Sequence, residues 1–91
     1  MANCVVTLKI MPESPEVDLN LLEAEAKVHV KEFGCEVGKV EIHPVAFGLR
    51  ALHILFVMDE NRGTTDDLEA TIRKVPGVNS VECIDVRRAI G

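Results

Sequence analysis

The sequence predicts an α+β fold of element order β-α-β-β-α-β, in which four antiparallel strands form one sheet and two helices cover one of its faces. Three observations support this prediction. Four segments have apolar patterns typical of strands, two others carry apolar residues every three or four positions, and most transitions coincide with proline or glycine. With 91 residues, 47% hydrophobic and 27% charged, we expect residues 1–91 to form a single domain.

The chain begins with a strand followed by a helix. Residues 4–11 alternate between two faces, which predicts a half-buried strand that ends at residues 12–15, a segment with two prolines. Asp18 is a suitable N-cap for a helix over about residues 19–33, and Gly34 suits the position just after that helix. The apolar stripe of the helix consists of Leu19, Leu22, Ala26, Val30 and Phe33.

Two strands, a helix and a last strand follow. A strand is predicted over about 38–46, and the next, about 50–58, is apolar on both faces and therefore central in the sheet. Thr65 is a suitable N-cap for the second helix, which ends before Pro76, and the last strand covers about 78–86. Because right-handed crossovers place both helices on one face, the predicted fold is a ferredoxin-like α/β sandwich.

The second face of such a sheet is not covered by helices. We expect Val5, His53, Leu55 and Val57 to lie on this open face. An apolar strip there favours an interface, either with a partner or in a weak homodimer. An ordinary exposed sheet surface that needs no partner is the alternative.

Charge, hydropathy and cysteine usage bear on the expected partners and on the compartment of the protein. A net charge of −5 argues against a nucleic-acid partner, because phosphate binding depends on clustered Lys and Arg. No apolar run approaches the ~20 residues that a membrane-spanning helix needs, and the first residues do not resemble a signal peptide. Three cysteines without a CxxC spacing are typical of reduced thiols. Together with the missing apolar run and signal peptide, they lead us to expect a cytoplasmic protein without a membrane partner.

The sequence contains no catalytic motif, and we expect neither an enzyme nor a bound cofactor. It has no P-loop, G-x-S-x-G or G-x-G-x-x-G segment, and its carboxylates are scattered. His43 and His53 are equidistant from Gly48 and are expected to face each other across a hairpin. With Glu82 or Cys83 they could begin a zinc site, but cross-strand polar packing is the favoured interpretation, and we expect no metal.

The most unusual feature is Phe47, an aromatic residue at the tip of the second hairpin, where polar residues are the rule. Gly48 beside it supplies the positive φ that a tight turn needs. The phenyl ring must either fold back onto the core or reach into a partner, and we favour the partner. Arg87 and Arg88, near the end of an acidic chain, are either a solvated basic tail or cations that contact a phosphate or carboxylate.

Four segments together resemble the archaeal elongation factor 1-beta family, and the resemblance covers essentially the whole chain. They are residues 9–15, 44–52, 63–65 and 85–88, of which 44–52, with the pattern Pro-x-Ala-Phe-Gly-Leu-Arg-Ala-Leu, is the specific one. The resemblance implies a guanine nucleotide exchange factor for elongation factor 1-alpha, the GTPase that delivers aminoacyl-tRNA to the ribosome.

The resemblance also implies roles for individual residues. Phe47 would enter a pocket on the GTPase, Gly48 would shape the turn, and Arg50 belongs to the same partner-binding segment. A cation that acts at the magnesium and phosphate site falls by position on Arg88, with Arg87 as an equal candidate if the last strand slips by one residue. A dimeric small-ligand regulatory module of the same fold is the alternative function, and a metal carrier that uses the two histidines is a third.

Overall fold

The computed structural model of the chain describes residues 3–59 and 65–89, and at residue 89 it describes the backbone alone. Within these residues the element order is β-α-β-β-α-β, as predicted, and the four strands form one antiparallel sheet in the order β2-β3-β1-β4. This arrangement confirms the ferredoxin-like sandwich. The elements are β1 (Asn3–Pro12), α1 (Leu19–Glu32), β2 (Glu36–Pro44), β3 (Arg50–Asp59), α2 (Asp66–Arg73) and β4 (Val78–Ala89).

The core lies between the central strands and the helices. The alternation predicted for β1 is confirmed, because every second residue from Val6 is fully buried on the helix-covered face. β3 lies between β2 and β1, as its two apolar faces predicted. Each of these buried aliphatic or aromatic side chains contributes roughly 1.5–3 kcal/mol through removal from water. The fully buried side chains of the two strands on this face are Val6, Leu8, Ile10, Leu52, Ile54 and Phe56.

Helix α1 has the ends that its sequence predicts. The Asp18 carboxylate accepts a hydrogen bond of 2.9 Å from the backbone N–H of Asn20. At the other end Gly34 has a φ of 91° and donates to the Lys31 carbonyl, while Cys35 donates to the Val30 carbonyl. These two bonds form a Schellman motif, which stops the helix. Neither helix in the described part of the chain is long and apolar enough to cross a membrane.

Three predicted boundaries are displaced. β2 begins two residues earlier than predicted, because the register shift around Gly38 breaks the side-chain alternation of its first residues. It also ends two residues earlier, at Pro44, because residues 46–48 form the turn of the hairpin. β4 continues to Ala89, three residues beyond the predicted end, because Asn3 at the start of β1 supplies a partner. Arg87 and Arg88 are therefore strand residues, although both side chains are exposed to solvent.

Thr65 precedes α2 as predicted but does not cap it. Its side chain accepts no hydrogen bond from the first turn of the helix. Instead the hydroxyl donates to the Glu69 carboxylate at 2.6 Å. The two acidic residues predicted for the first turn, Asp66 and Asp67, are there, where negative charge favours the helix N-terminus.

The open face of the sheet has an apolar centre and charged borders. The registers place Val5, His53, Leu55 and Val57 on the face away from the helices, as predicted. Val57 is 42% exposed, whereas the other three are half-buried. Charged or titratable side chains lie to either side of this centre: Lys39, Glu41 and His43 on β2, and Asp85 and Arg87 on β4.

Candidate functional site

The tip of the hairpin between β2 and β3 is a tight turn with two consecutive left-handed residues. Phe47 has φ 62° and ψ 31°, and Gly48 has φ 75°. The Leu49 N–H donates to the Ala46 carbonyl at 3.2 Å and closes the turn. Positive φ at both central residues is the property of a type I′ turn, whose twist matches that of the two strands. The turn that the sequence predicted is therefore present, with Phe47 at its first central position.

Phe47 adopts a backbone conformation that bulky residues avoid. The left-handed region costs an L-residue roughly 1–2 kcal/mol, and Phe47 is the one non-glycine residue with positive φ in the described ranges 3–59 and 65–89. Its side chain is 94% exposed, so no packing inside the domain compensates for this cost. Of the two orientations that the sequence allowed for the ring, the structure shows the outward one.

Arg50 begins β3, three residues after Phe47, and pairs with Pro44 in the ladder. Its side chain is exposed and forms no ion pair with the residues that the structure describes. The tip therefore presents an apolar group and a cation close together in sequence.

Arg87 and Arg88 lie on opposite faces of β4. Arg87 pairs with Val5 and shares the open face, where its Nε donates to the Asp85 carboxylate at 2.8 Å. Arg88 pairs with Cys4 and shares the helix-covered face, at the end of the sheet that the helices leave exposed. Because neighbouring strand residues point to opposite faces, a single partner surface that lies flat against one face contacts one of these arginines and not the other.

The tip and the C-terminal arginines do not come together. Val5 pairs with Arg87 on one side and Val57 on the other, and Arg50 is seven positions from Val57 along β3. At a rise of about 3.4 Å per residue, Arg50 is about 24 Å from the level of Arg87, and Phe47 is farther still. The two groups of predicted site residues thus lie at opposite ends of a domain that is 42 Å in its longest dimension.

The histidine pair is present, but its register differs from the prediction. The hairpin is centred on Phe47 and not on Gly48, so that His43 pairs with Ala51 and His53 with Glu41. The imidazole rings still meet diagonally, stacked with centroids 4.1 Å apart and planes 26° apart. Diagonal neighbours on one face of an antiparallel pair are within reach of aromatic side chains.

Charged groups surround these two rings. The Glu41 carboxylate is 2.9 Å from Nε2 of His43 and 2.8 Å from Nζ of Lys39. Hydrogen bonds from Lys39 and His43 lower the pKa of Glu41 to about 2. Burial, followed by the neighbouring His43 and Lys9, lowers the pKa of His53 below its ordinary value.

The arrangement is unsuited to a metal ion. Among the described residues no group of three His, Cys, Asp or Glu side chains is placed to hold one. Cys83 pairs with Leu8 and faces the helices, while Glu82 pairs with Lys9, which separates it from His53. In addition, the lone pairs of the two stacked rings lie in nearly parallel planes whose centroids are 4.1 Å apart, which does not favour their convergence on one ion. Polar packing across the strands accounts for the pair.

A groove of about 630 Å³ lies between α1 and β2, away from both groups of candidate residues. It is lined by Lys27, Lys31, Lys39 and the first half of β2, and none of the predicted partner-binding residues contributes to it. The features that match the predicted function are therefore exposed projections of the domain and not a cavity.

The comparisons with known proteins agree with the sequence resemblance. The family of EF-1 guanine nucleotide exchange domains matches residues 5–89. Elongation factor 1-beta of Methanothermobacter thermautotrophicus is 41% identical over 88 residues, which are 97% of this chain and 98% of that protein. Elongation factor 1-beta of Methanobrevibacter smithii is 43% identical over 88 residues, with the same coverage of each.

Solved structures of low sequence identity share the fold. The ACT domain from GTP pyrophosphokinase of Chlorobium tepidum superposes with a TM-score of 0.62 at 14% identity, over 90% of this chain and 99% of that one. The C-terminal domain of the MgtC protein from Mycobacterium tuberculosis has a TM-score of 0.64 at 15% identity, over 96% and 87%. The sequence matches, in contrast, identify the family: the chain belongs to the EF-1 guanine nucleotide exchange domains, with a role as a nucleotide exchange factor in translation elongation.

Proposed function

We propose that this domain accelerates GDP release from elongation factor 1-alpha through two contacts that are made from opposite ends of its sheet. Phe47 is the apolar wedge, Gly48 and Arg50 complete the tip, and Arg88 or Arg87 is the cation near the magnesium and phosphate site. The observation that carries this proposal is the 94% exposure of Phe47 on a strained left-handed turn, in a chain of the exchange-domain family. Such strain without internal compensation is typical of functional positions.

The wedge acts by differential binding. GDP is held in the GTPase by a phosphate-binding loop and by magnesium. A protein that binds the nucleotide-free GTPase more tightly than the GDP complex weakens GDP by the same factor, because linkage between two binding sites is reciprocal. A phenyl ring that enters a pocket available in the nucleotide-free state supplies this difference. The domain acts by binding and forms no covalent bond, so it needs neither a cofactor nor a nucleotide pocket of its own.

The proposed arginine contact changes the electrostatic balance at the magnesium and phosphate site of the GTPase. Magnesium compensates the negative charge of the GDP phosphates, and a guanidinium that approaches the same place competes with it. Arg88 and Arg87 both lie in the exposed last part of β4, one and two residues before its end at Ala89, where a partner has access. The planar guanidinium of an arginine can donate two parallel hydrogen bonds to phosphate oxygens. It can therefore bind the phosphates as well as compete with the metal ion.

The distance between the two proposed contacts restricts how the GTPase can bind this domain. Because the tip and the arginines are more than about 24 Å apart along the sheet, the GTPase must offer two distinct surfaces. The domain then lies between them as a rigid spacer, and its sheet sets their separation. We further propose that residues 1–91 act as a single exchange domain in the cytoplasm, with no direct contact to nucleic acid or membrane.

The test is the release of labelled GDP from purified elongation factor 1-alpha, measured with increasing amounts of the domain. Coupling free energies between sites are typically 1–3 kcal/mol, which weakens the affinity for GDP by about 5-fold to 150-fold. Because affinity changes appear mostly in the dissociation rate, we expect GDP release to accelerate by at least about 5-fold. An acidic protein of similar size at equal concentration is the control for non-specific effects. If the domain leaves the release rate unchanged, the proposal is wrong.

Raising the magnesium concentration separates the two contacts. Excess magnesium should reduce the acceleration if the arginine competes with the metal, and the reduction should be smaller for Arg88→Ala. If magnesium has no effect on the wild-type acceleration, the role of the arginine is contradicted while that of Phe47 stands.

A further inference from the structure

The hairpin that carries Phe47 extends beyond the rest of the sheet. β1 pairs with β3 only as far as Ile10–Leu52. From His43 to Ala51 the sheet therefore consists of β2 and β3 alone. The stack of His43 on His53 crosses this boundary: His53 still lies beside Lys9 of β1, whereas His43 belongs to the extension. Each ring belongs to one of the two strands, so the stack connects them at the base of the tip.

Charged groups of three strands face this stack. Lys9 on β1 lies beside His53, and Glu41 on β2 lies directly opposite it. Lys39 forms the ion pair with Glu41, and on β4 Glu82 pairs with Lys9. The two helices pack on the other face of the sheet and contribute no group here. The pair therefore has one carboxylate next to it, Glu41, and one neighbouring lysine, Lys9.

This environment accommodates one positive charge on the two rings and opposes a second. The Glu41 carboxylate lies 2.9 Å from Nε2 of His43 and stabilises one positive charge on the pair. With two, like charges stand 4.1 Å apart with Lys9 beside them. Repulsion at contact distance pushes the two strands apart at the base of the extension.

We propose that the His43–His53 stack positions the Phe47 tip, and that the second protonation of the pair loosens the tip and slows GDP release. This inference rests on the proposed function of Phe47. The sign follows from linkage. Burial lowers the pKa of folded His53 below 6.5, so the unfolded chain takes up this proton first as the pH falls. The contribution of the stack is therefore present above about pH 6.5 and is lost as the pH falls through the lower pKa of the folded state.

The first measurement is the acceleration of GDP release from about pH 5 to about pH 8, as a ratio to the spontaneous release at each pH. We expect the wild-type ratio to fall at least about threefold toward the acidic end, and the ratio for His53→Gln to vary less, because one ring can no longer charge. His29→Gln is the matched control: His29 lies on α1 next to Glu32, away from the hairpin, and its loss should leave the pH profile unchanged.

The second measurement does not require the GTPase. The N–H of Val45, which donates to the Leu49 carbonyl at 2.8 Å, reports on the closure of the tip. Its protection against hydrogen exchange, corrected for the intrinsic pH dependence, should fall as the second ring takes up a proton. In His43→Gln, the titration of His53 followed by NMR should move toward the ordinary value of 6.5.

The outcomes separate the two proposals. If the Val45 protection and the release ratio are both independent of pH in this range, or if His53→Gln keeps the wild-type profile, the positioning role is wrong. If the Val45 protection falls with pH but the domain accelerates GDP release at no pH, the proposed function is wrong. The stack would then still be a pH-sensitive contact that stabilises the hairpin.

Discussion

The hairpin tip and the end of β4 both expose a side chain proposed to contact the GTPase, but they do so by different physical means. At the tip, local backbone geometry suffices: two left-handed residues and one hydrogen bond from Leu49 to Ala46 direct Phe47 outward. At the other end, Arg87 and Arg88 are placed by pairing with Val5 and Cys4, more than 80 residues away in sequence. A substitution at the tip should therefore change function with little effect on stability, whereas the arginine contact depends on the pairing of the chain ends.

The largest expected effect is that of Phe47→Ala. Loss of a central aromatic anchor typically costs 2 kcal/mol or more, so the acceleration of GDP release should fall by at least about tenfold. The free energy of unfolding should change by less than about 0.5 kcal/mol, because the ring is 94% exposed. Val28→Ala, on α1 and 53% exposed, is the matched control and should affect neither quantity. A loss of stability that accompanies the loss of exchange would contradict the local character of the tip.

The second largest effect on GDP release is expected for Gly48→Ala. A Cβ at Gly48 meets no atom within 4 Å, so the cost is that of the φ of 75° alone, roughly 1–2 kcal/mol. We expect a reduced free energy of unfolding in urea titrations and a several-fold lower acceleration of GDP release. Gly38→Ala provides the control, because its Cβ would lie 3.8 Å from the Leu55 carbonyl without positive φ. Equal destabilisation by both substitutions would exclude the left-handed turn as the cause.

A smaller effect is expected at the arginines, and it distinguishes the two faces of β4. By position in the family, Arg88→Ala should lower the acceleration about threefold to tenfold. Arg87→Ala should lower it less, because Arg87 points to the other face of β4. The loss should shrink at high salt, since exposed charges are screened. If Arg87→Ala has the larger effect, the partner lies against the open face and the assignment of the cation changes to Arg87.

The smallest expected quantity is the coupling between the two contacts. Sites that are more than 7–10 Å apart and share no partner usually have additive effects, within about 0.5 kcal/mol. For Phe47→Ala combined with Arg88→Ala, the logarithms of the two losses in GDP-release rate should therefore add. A marked deviation from additivity would mean that the two ends act as one unit through the GTPase, and their independence would then be a property of the isolated domain alone.

Local sequence signals predicted most of the fold. The alternation in β1, the spacing in α1 and its ends at Asp18 and Gly34 depend on neighbours in sequence, and all are confirmed. The errors occur where distant contacts decide. β4 continues through two arginines because β1 offers a partner, and the displaced start of β2 follows from a register shift at Gly38. Thr65 is a local exception: its type and position predicted a cap, but its hydroxyl donates a hydrogen bond to the Glu69 carboxylate instead.

The candidate site divides in the same way. The sequence by itself determined which residues to consider. An aromatic beside a glycine between two strands is anomalous on local grounds, and Arg88 and Arg87 were selected by their position in the family resemblance. Tertiary structure decided that these residues stand at opposite ends of the sheet, that Arg87 and Arg88 face different sides, and that the histidines stack diagonally. The physical reason is that residue types and turns are properties of short segments, whereas distance, face and register arise from strand pairing between remote parts of the chain.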